Sequence, residues 1–295
     1  MTIAKVEGAP AIARWSARIA LFALVGLAVS IVLHRFFGMS TPVFLRLVLL
    51  SFAGAAVAIV LGIVTSVRIW RHGGPGAARA VVTFIVAGGI LAWPLSVVPL
   101  ARSLPELNDV TTAPASPPPF DALAAQRKAP ANPAAYPARF AAVQAKAYPD
   151  LAPLLVNRSV DEAYDLVLVA VRRERMTVVR EQPPSEENGL TGVIEAVDRT
   201  TVLGFYDDVV LRVAGSATEA RIDIRSASRF GRHDFGRNAQ RVRALLRGIV
   251  ERLESTIPGS GGERVAKGRP TKPVKPGAAR DAAKDADRKK AAPRP

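Results

Sequence analysis

The sequence contains no cysteine and only three histidines among 295 residues. The absence of cysteine excludes disulfide bonds, thiolate nucleophiles and cysteine-based metal sites. The histidines, His34, His72 and His233, are far apart along the chain and do not form the cluster that is typical of a metal centre. We therefore expect no metal and no cofactor, and we interpret His34 and His72 as interfacial residues.

Charged residues are absent from three stretches in the first third of the chain, residues 19–33, 47–67 and 80–101. A helix needs about 20 predominantly apolar residues to cross the hydrocarbon core of a bilayer. The first stretch reaches that length if Arg18, His34 and Arg35 extend their polar ends to the interface. Buried helices of a soluble bundle are the alternative, but such helices keep a charged face. The sequence predicts three transmembrane helices, at residues 16–36, 45–67 and 80–101.

Basic residues at the ends of these helices predict their orientation, because cytoplasmic flanks carry an excess of lysine and arginine. The flank on the side of the amino terminus contains Lys5, Arg14, Arg18, Arg68, Arg71 and Arg79. The opposite flank contains Arg35, Arg46 and Arg102. No clear signal-peptide cleavage site precedes the second apolar stretch, so we expect the first helix to stay. This predicts a multi-pass protein of the inner (plasma) membrane with a cytoplasmic amino terminus. Everything after residue 102 is then outside, in the periplasm of a Gram-negative cell.

The basic excess of the chain is confined to its two ends. The net charge is +7 for residues 1–129, +1 for residues 130–257 and +7 for residues 258–295. A nearly neutral central part does not favour a nucleic-acid-binding domain, although the calculated pI is about 10.9. Residues 258–295 are rich in Gly, Ala, Pro and Lys, which predicts disorder. Such a tail either attracts an anionic envelope component or is a solvated extension without a partner.

Proline and alanine dominate residues 103–133, a composition that favours an extended polyproline conformation. We interpret this stretch as a linker off the membrane, with docking onto the following domain as the rival interpretation. Residues 134–257 predict an α+β domain with an antiparallel sheet, one helix before a meander of strands and a packed C-terminal helix. Its strands are predicted at residues 154–156, 176–182, 191–197, 207–214 and 220–225. Its main helices are predicted at residues 159–175, with Ser159 as the N-cap and Glu162 in a capping box, and at residues 238–253, with Asn238 as the N-cap.

Residues 207–225 give the clearest hairpin, and their alternation predicts which side chains share a face. The buried face is predicted to contain Val209, Leu211, Val213, Ile222 and Ile224. If Ala214 lies opposite Glu219, then Asp208 lies opposite Arg225 as a cross-strand charge pair. The same register places Arg212 opposite Arg221, which is unfavourable.

A polar, glycine-punctuated connector joins the last strand to the C-terminal helix and reads RSASRFGRHDFGRN from Arg225 to Asn238. This run closely resembles the signature of the family known as domain of unknown function 1499. The matching positions are Arg225, Ser226, Ser228, Arg229, Gly231, Asp234, Gly236, Asn238 and Arg241. Three further stretches are similar to the same family, at residues 109–120, 136–153 and 204–208, although Ala113 stands where the family usually has aspartate. The family has no assigned activity, so the resemblance implies no reaction.

The signature allows a structural and a functional interpretation. In the structural one, Gly231 and Gly236 permit tight turns, Asp234 and Ser228 bond backbone amides, and the arginines pair with aspartates such as Asp207 and Asp208. In the functional one, the helix N-terminus and the arginines capture an anion. A phosphate loop is excluded because Arg237 and Asn238 replace its lysine and serine or threonine.

Two classes of function follow. The first is a non-enzymatic membrane protein whose periplasmic domain binds an anionic envelope component or a protein partner. The second is an enzyme acting on an envelope lipid or polysaccharide, with Asp207, Asp208, Arg225 and Asp234 lining a pocket. The shape of the domain discriminates them, because an enzyme needs a pocket with converging carboxylates.

Overall fold

The computed structural model describes residues 10–256. A bundle of apolar helices extends to residue 103, and a domain built on one antiparallel sheet follows. We call residues 104–256 the head domain. The predicted tail, residues 258–295, lies outside the described residues.

Three long helices form the bundle, α1 (Ala11–Phe36), α2 (Thr41–His72) and α3 (Ala77–Ser96), and the short α4 (Val98–Ser103) continues α3. The first two predicted stretches lie within α1 and α2, and the third extends from α3 into α4. All three spans, α3 being taken with α4, are long and apolar enough to cross a membrane.

The packing of the bundle is typical of helices surrounded by lipid. Small residues such as Ala20, Ala55 and Ala87 are buried where the helices meet, whereas large apolar residues such as Phe22 and Ile85 point outward. Small side chains let helix backbones approach closely where no hydrophobic effect drives them together. The outward apolar surface has no water-compatible face, so lipid is the solvent that suits it.

The head domain contains six strands, β1 (Asp109–Thr111), β2 (Leu154–Val156), β3 (Thr177–Gln182), β4 (Thr191–Arg199), β5 (Tyr206–Gly215) and β6 (Ala220–Ser228). Their order is β1-β6-β5-β4-β3, β2 also pairs with β6, and all pairs are antiparallel. The helices are α5 (Phe140–Ala147), α6 (Val160–Arg173) and α7 (Arg237–Ser255). This confirms the predicted α+β order of a helix, a meander and a closing helix.

The main core lies between one face of the sheet and helices α6 and α7. The Ser159 side chain caps α6 by accepting a hydrogen bond from the Glu162 amide at 3.3 Å, as predicted. The buried core residues include Ala163, Val167 and Ala170 of α6, Val242, Leu245 and Ile249 of α7, and Val209, Leu211, Val213, Ile222 and Ile224 of the sheet. The apolar faces of the two helices and of the sheet therefore pack together in one core.

The predicted hairpin register is wrong by two residues. Ala214 lies opposite Arg221, and Arg212 lies opposite Asp223, with 2.6 Å between Arg212 Nη2 and Asp223 Oδ2. The observed register pairs opposite charges where the predicted one would oppose two arginines. A shift by an even number keeps each side chain on its face, so the predicted core face is correct although Asp208 and Arg225 are not partners.

Residues 112–135 pack on the second face of the sheet, and we call them the covering segment. Phe120 and Leu123 are buried there against Val210 and Ala227. The buried Glu195 carboxylate accepts hydrogen bonds from the backbone amides of residues 121–123 at 2.9–3.2 Å. The interpretation of these residues as a free linker is therefore wrong, and the docking interpretation describes them. A prediction from composition considers only the segment's own side chains. Here the sheet supplies the apolar surface against which the segment packs and the carboxylate that accepts its hydrogen bonds.

The head domain is also held against the ends of the bundle helices. His34 Nδ1 lies 2.6 Å from the carbonyl oxygen of Leu203, and His34 Nε2 lies 3.0 Å from Thr41 Oγ1. The Arg199 guanidinium donates to the carbonyls of His34 and Arg35 at 3.2 and 2.5 Å. These are carbonyls at the C-terminal end of α1, which lack partners within their own helix.

We predict that Glu195→Gln loosens the covering segment. Glutamine keeps one acceptor oxygen but replaces the other with an NH2 donor, which would face backbone amides that also donate. The loss of a buried acceptor costs about 1–3 kcal/mol. Limited proteolysis of the detergent-solubilised chain should therefore cut residues 112–135 faster in the variant. Glu187→Gln, at an exposed position, is the control. Equal cleavage rates in the wild type and both variants would contradict the assignment of Glu195.

Candidate functional site

The signature residues lie on β5, β6, the loop after β6 and the first turns of α7, and they do not surround one pocket. Successive side chains of a strand point to opposite faces. Asp207, Ser226 and Ser228 consequently face α7, whereas Asp208 and Arg225 face the covering segment. The structure divides the signature into two separate polar networks.

Arg241 is the centre of the network that faces α7. Its guanidinium donates to Asp198 Oδ2 at 2.6 and 2.8 Å and to Asp207 Oδ2 at 2.7 Å. Its Nη1 donates to Ser226 Oγ at 3.0 Å and to Asn238 Oδ1 at 2.8 Å. Burial opposes the charged guanidinium, but the carboxylates of Asp207 and Asp198 keep the pKa of Arg241 above its ordinary value. The arginine thus ties α7 to β4, β5 and β6 as a paired buried ion.

Asn238 is fully buried inside α7 and is not its N-cap, so that prediction is wrong. Its side chain accepts from Ser226 Oγ at 2.8 Å and donates to Ser228 Oγ and to the carbonyl of Asn108, both at 3.1 Å. The first residue of α7 is Arg237, and Gly236 occupies the N-cap position. The asparagine lies two residues beyond the N-cap position because the loop ends earlier than the sequence pattern indicated.

The Asp234 carboxylate closes the start of α7 instead. Its two oxygens accept from the backbone amides of Gly236 and Asn238 at 2.8 and 2.9 Å. Burial raises the pKa of Asp234, although these amides favour its charged form. An internal carboxylate therefore occupies the position where the sequence suggested that an external anion would bind.

Both signature glycines have left-handed backbone conformations, with φ of 90° at Gly231 and 77° at Gly236. Glycine adopts this conformation without the steric penalty of a side chain. A Cβ atom at Gly236 would also lie 3.1 Å from Leu104 Cδ1. The carbonyl of Gly231 accepts from the side-chain amides of Asn108 and Asn132 at 2.7 and 2.8 Å. These two positions therefore shape the loop between β6 and α7.

Arg225 is the centre of the network under the covering segment. Its Nε and Nη2 donate to the two oxygens of Asp109 at 3.0 and 2.7 Å, and both side chains are buried. It also donates to the carbonyls of Pro118 and Ala134 at 3.0 and 2.7 Å. Its guanidinium carbon lies 4.4 Å from the centre of the Phe120 ring. Burial raises the pKa of Asp109 while the adjacent Arg225 opposes that shift.

Asp208 is shared by two arginines on the same face. Arg127 Nε donates to one carboxylate oxygen at 2.7 Å, and Arg229 Nε donates to the other at 2.8 Å. Arg127 also donates to the carbonyl of Ala227 at 3.1 Å. The arginines of the signature therefore pair with aspartates, but the partner of Arg225 is Asp109 rather than Asp208.

A shallow cleft of about 240 Å³ lies beside Arg225. Its other lining residues are Pro117, Pro119, Phe120, Ala134, Ala135 and Tyr136, and none of them is acidic. Burial and the neighbouring Asp109 raise the pKa of Tyr136 to about 12, so the phenol is protonated at neutral pH. The cleft offers an apolar wall and one already paired arginine, and it lacks the converging carboxylates that an enzyme of the proposed kind requires.

Sequence reasoning missed Glu195, Asp198 and Arg127 as members of these networks. A signal was present for Glu195, which stands alone in the apolar run TGVIEAV of residues 191–197. A single carboxylate in a strand that is otherwise apolar indicates a buried acceptor, because an unpaired buried charge is too costly to keep. Asp198 and Arg127 lie in polar surroundings and give no such signal.

The arrangement offers paired charges rather than free reactive groups. Asp207 and Asp208 lie on opposite faces and are each bound by arginine. Ser226 bonds to Asn238 and Arg241, so no histidine activates it. Among residues 10–256 there is no cluster of three or more potential metal ligands. The polar groups of the signature bond within the fold, but the Ser228 hydroxyl accepts from the side-chain amide of Asn238 and not, as predicted, from a backbone amide.

We predict that Arg225→Ala destabilises the sheet strongly. The substitution leaves the buried Asp109 carboxylate without its partner, and breaking a buried pair costs about 3–5 kcal/mol. Hydrogen exchange of the amides of β1 and β6, measured on the detergent-solubilised chain, should accelerate accordingly. Arg243→Ala removes an exposed pair with Asp150, for which about 0–1 kcal/mol is expected, and is the control. A similar, small effect of both variants would contradict the structural role of Arg225.

Comparison with known proteins agrees with the resemblance found in the sequence. Residues 109–249 match the model of a family described as protein of unknown function, DUF1499. A search of the curated proteins finds no match to the chain. The matched range begins at β1, includes the covering segment and ends within α7, so it contains both polar networks. The head domain of this chain therefore matches the family of proteins of unknown function named DUF1499, as the resemblance of its sequence indicated.

Proposed function

We propose that the chain is a multi-pass protein of the inner (plasma) membrane and that its head domain has a binding or scaffolding role in the periplasm. The proposal rests on one observation, that the charged residues of the signature point into the fold and pair there. Asp207, Asp208, Arg225 and Arg241 are buried and paired with one another or with neighbouring residues. Their role is to hold the head domain in one shape, which leaves its outer surface to make contacts.

The charge bias of the helix ends supports the orientation. Within the described residues, Arg14, Arg18, Arg68, Arg71 and Arg79 lie at one end of the bundle. Arg35, Arg46 and Arg102 lie at the end that carries the head domain. The more basic end favours the cytoplasm, which places the head domain on the outer side.

The contacts between the head domain and the bundle support a fixed orientation of the head domain relative to the helices. Arg199, at the end of β4, bonds to the end of α1, and β5 begins a few residues later at Tyr206. A strand rises about 3.3 Å per residue, so the ten residues of β5 extend about 30 Å from that point. The hairpin at residues 216–219 consequently lies far from the contact with α1, and its residues 217–219 are exposed to a partner.

The chemistry of the partner is constrained by charge. The head domain is nearly neutral, so we propose a protein partner or an anionic envelope component and not a nucleic acid. The basic tail, which lies outside the described residues, adds attraction to anionic groups that salt would weaken. The alternative of an envelope lipid or polysaccharide enzyme needs Asp207, Asp208, Arg225 and Asp234 in one pocket. They belong to separate networks, so no specific observation favours it.

We predict opposite accessibility of two engineered cysteines in a chain that has no native cysteine. Leu155→Cys is on the head domain, and His72→Cys is at the other end of the bundle; both residues are exposed. A membrane-impermeant maleimide should label position 155 in cells with a permeabilised outer membrane and position 72 only after the inner membrane is lysed. The reverse pattern would overturn the orientation.

We also predict that the far hairpin contacts a partner. A photo-crosslinking amino acid at the exposed Thr218 should give a specific adduct in intact cells. The same amino acid at the buried Val209 is the control and should give none. Mass spectrometry of the adduct identifies the partner class. A lack of adducts at Thr218 and at the exposed Val179 would contradict the binding role.

A further inference from the structure

The loop between β4 and β5, residues 200–205, lies directly against the turn between α1 and α2. The Leu203 carbonyl is 2.6 Å from His34 Nδ1, and the Phe205 ring lies 5.5 Å from the His34 ring and 5.7 Å from the Phe44 ring. Arg199 at the base of the loop bonds to the carbonyls of His34 and Arg35. These contacts fix the height of the loop relative to the bundle.

Helix geometry gives the position of this loop relative to the bilayer. A helix rises 1.5 Å per residue, so Phe36 lies about 27 Å along α1 from Arg18 and about 33 Å from Arg14. The hydrocarbon core is about 30 Å thick. If the arginines near the start of α1 lie at one boundary of the core, Phe36 lies at the other. The loop that contacts His34 and Arg35 is then level with the lipid headgroups.

The surface of the loop suits that environment. Val202, one residue before the Leu203 contact, is 69% exposed, and Phe36, one residue after the Arg35 contact, is 73% exposed. Both exposed apolar residues are thus one position away from a contact between the loop and α1, and exposed apolar and aromatic side chains at the end of a membrane helix suit the lipid interface. Arg35 and Arg46, at this same end, can extend their guanidinium groups to lipid phosphates.

We infer that the loop between β4 and β5 is seated in the lipid surface, with Val202 at the boundary between acyl chains and headgroups. The partner of this surface is the bilayer itself. The inference rests on the proposed function only in requiring that the helices span a bilayer, and it holds for either orientation. It assigns the near end of the head domain to lipid and leaves the far hairpin for other partners.

Three single-cysteine variants of the full chain test this inference, because the native chain has no cysteine. Val202→Cys probes the loop. Leu155→Cys, where the native leucine is 73% exposed, is the matched control, because Leu155 lies opposite Arg221, close to the far hairpin. Phe22→Cys, where the native residue is 77% exposed in the middle of α1, reports whether the helix is in lipid. Each variant is labelled with an environment-sensitive fluorophore and reconstituted into vesicles of anionic and zwitterionic phospholipid.

Quenching separates the outcomes. We expect brominated acyl chains to reduce the fluorescence at positions 22 and 202 and to leave position 155 unchanged, whereas aqueous iodide quenches position 155 most. Lipid quenching at position 22 combined with iodide quenching at position 202 would overturn the inference and leave the membrane assignment intact. A lack of lipid quenching at all three positions would overturn both.

Discussion

The ion pair between Arg225 and Asp109 is the interaction on which the head domain depends, and it joins residues 116 positions apart. A buried charge is tolerated only when its donors and acceptors are satisfied, because desolvation otherwise outweighs the attraction. The pair is satisfied only if β1 lies beside β6 and the carbonyls of Pro118 and Ala134 lie over the guanidinium. One arginine therefore makes the first strand, the covering segment and the meander interdependent.

The same need to pair buried charges explains why the polar groups of the signature bind one another and their neighbours within the fold. Arg241 bonds to Asp198 and Asp207, Arg127 and Arg229 share Asp208, and Asp234 caps α7. Each of these charged side chains has a hydrogen-bonding partner within the fold. Polar networks of this type specify a single arrangement of sheet and helices, and a surface held in one arrangement is what a binding or scaffolding domain needs.

Local patterns predicted the elements well and long-range partners poorly. The Ser159 cap, the apolar face of the hairpin and the three long apolar helices follow from spacings of a few residues, so they were correct. The hairpin register, the position of Asn238 and the docking of the covering segment depend on contacts between distant residues. Glu195, which holds the covering segment by its backbone amides, could be suspected from its apolar neighbours, but its partners could not be named.

The sequence alone predicted three helices that are long and apolar enough to cross a membrane, an α+β domain after them and the resemblance of that domain to a particular family. Those conclusions rest on hydrophobicity, periodicity and motif spacing, which are properties of consecutive residues. Only the tertiary structure decided that a proline-rich stretch is part of the sheet's packing and that the head domain is held to the end of α1 through Arg199 and His34. The physical reason is that a buried hydrogen bond or ion pair requires both partners in place, and the chain brings them together from more than a hundred residues away.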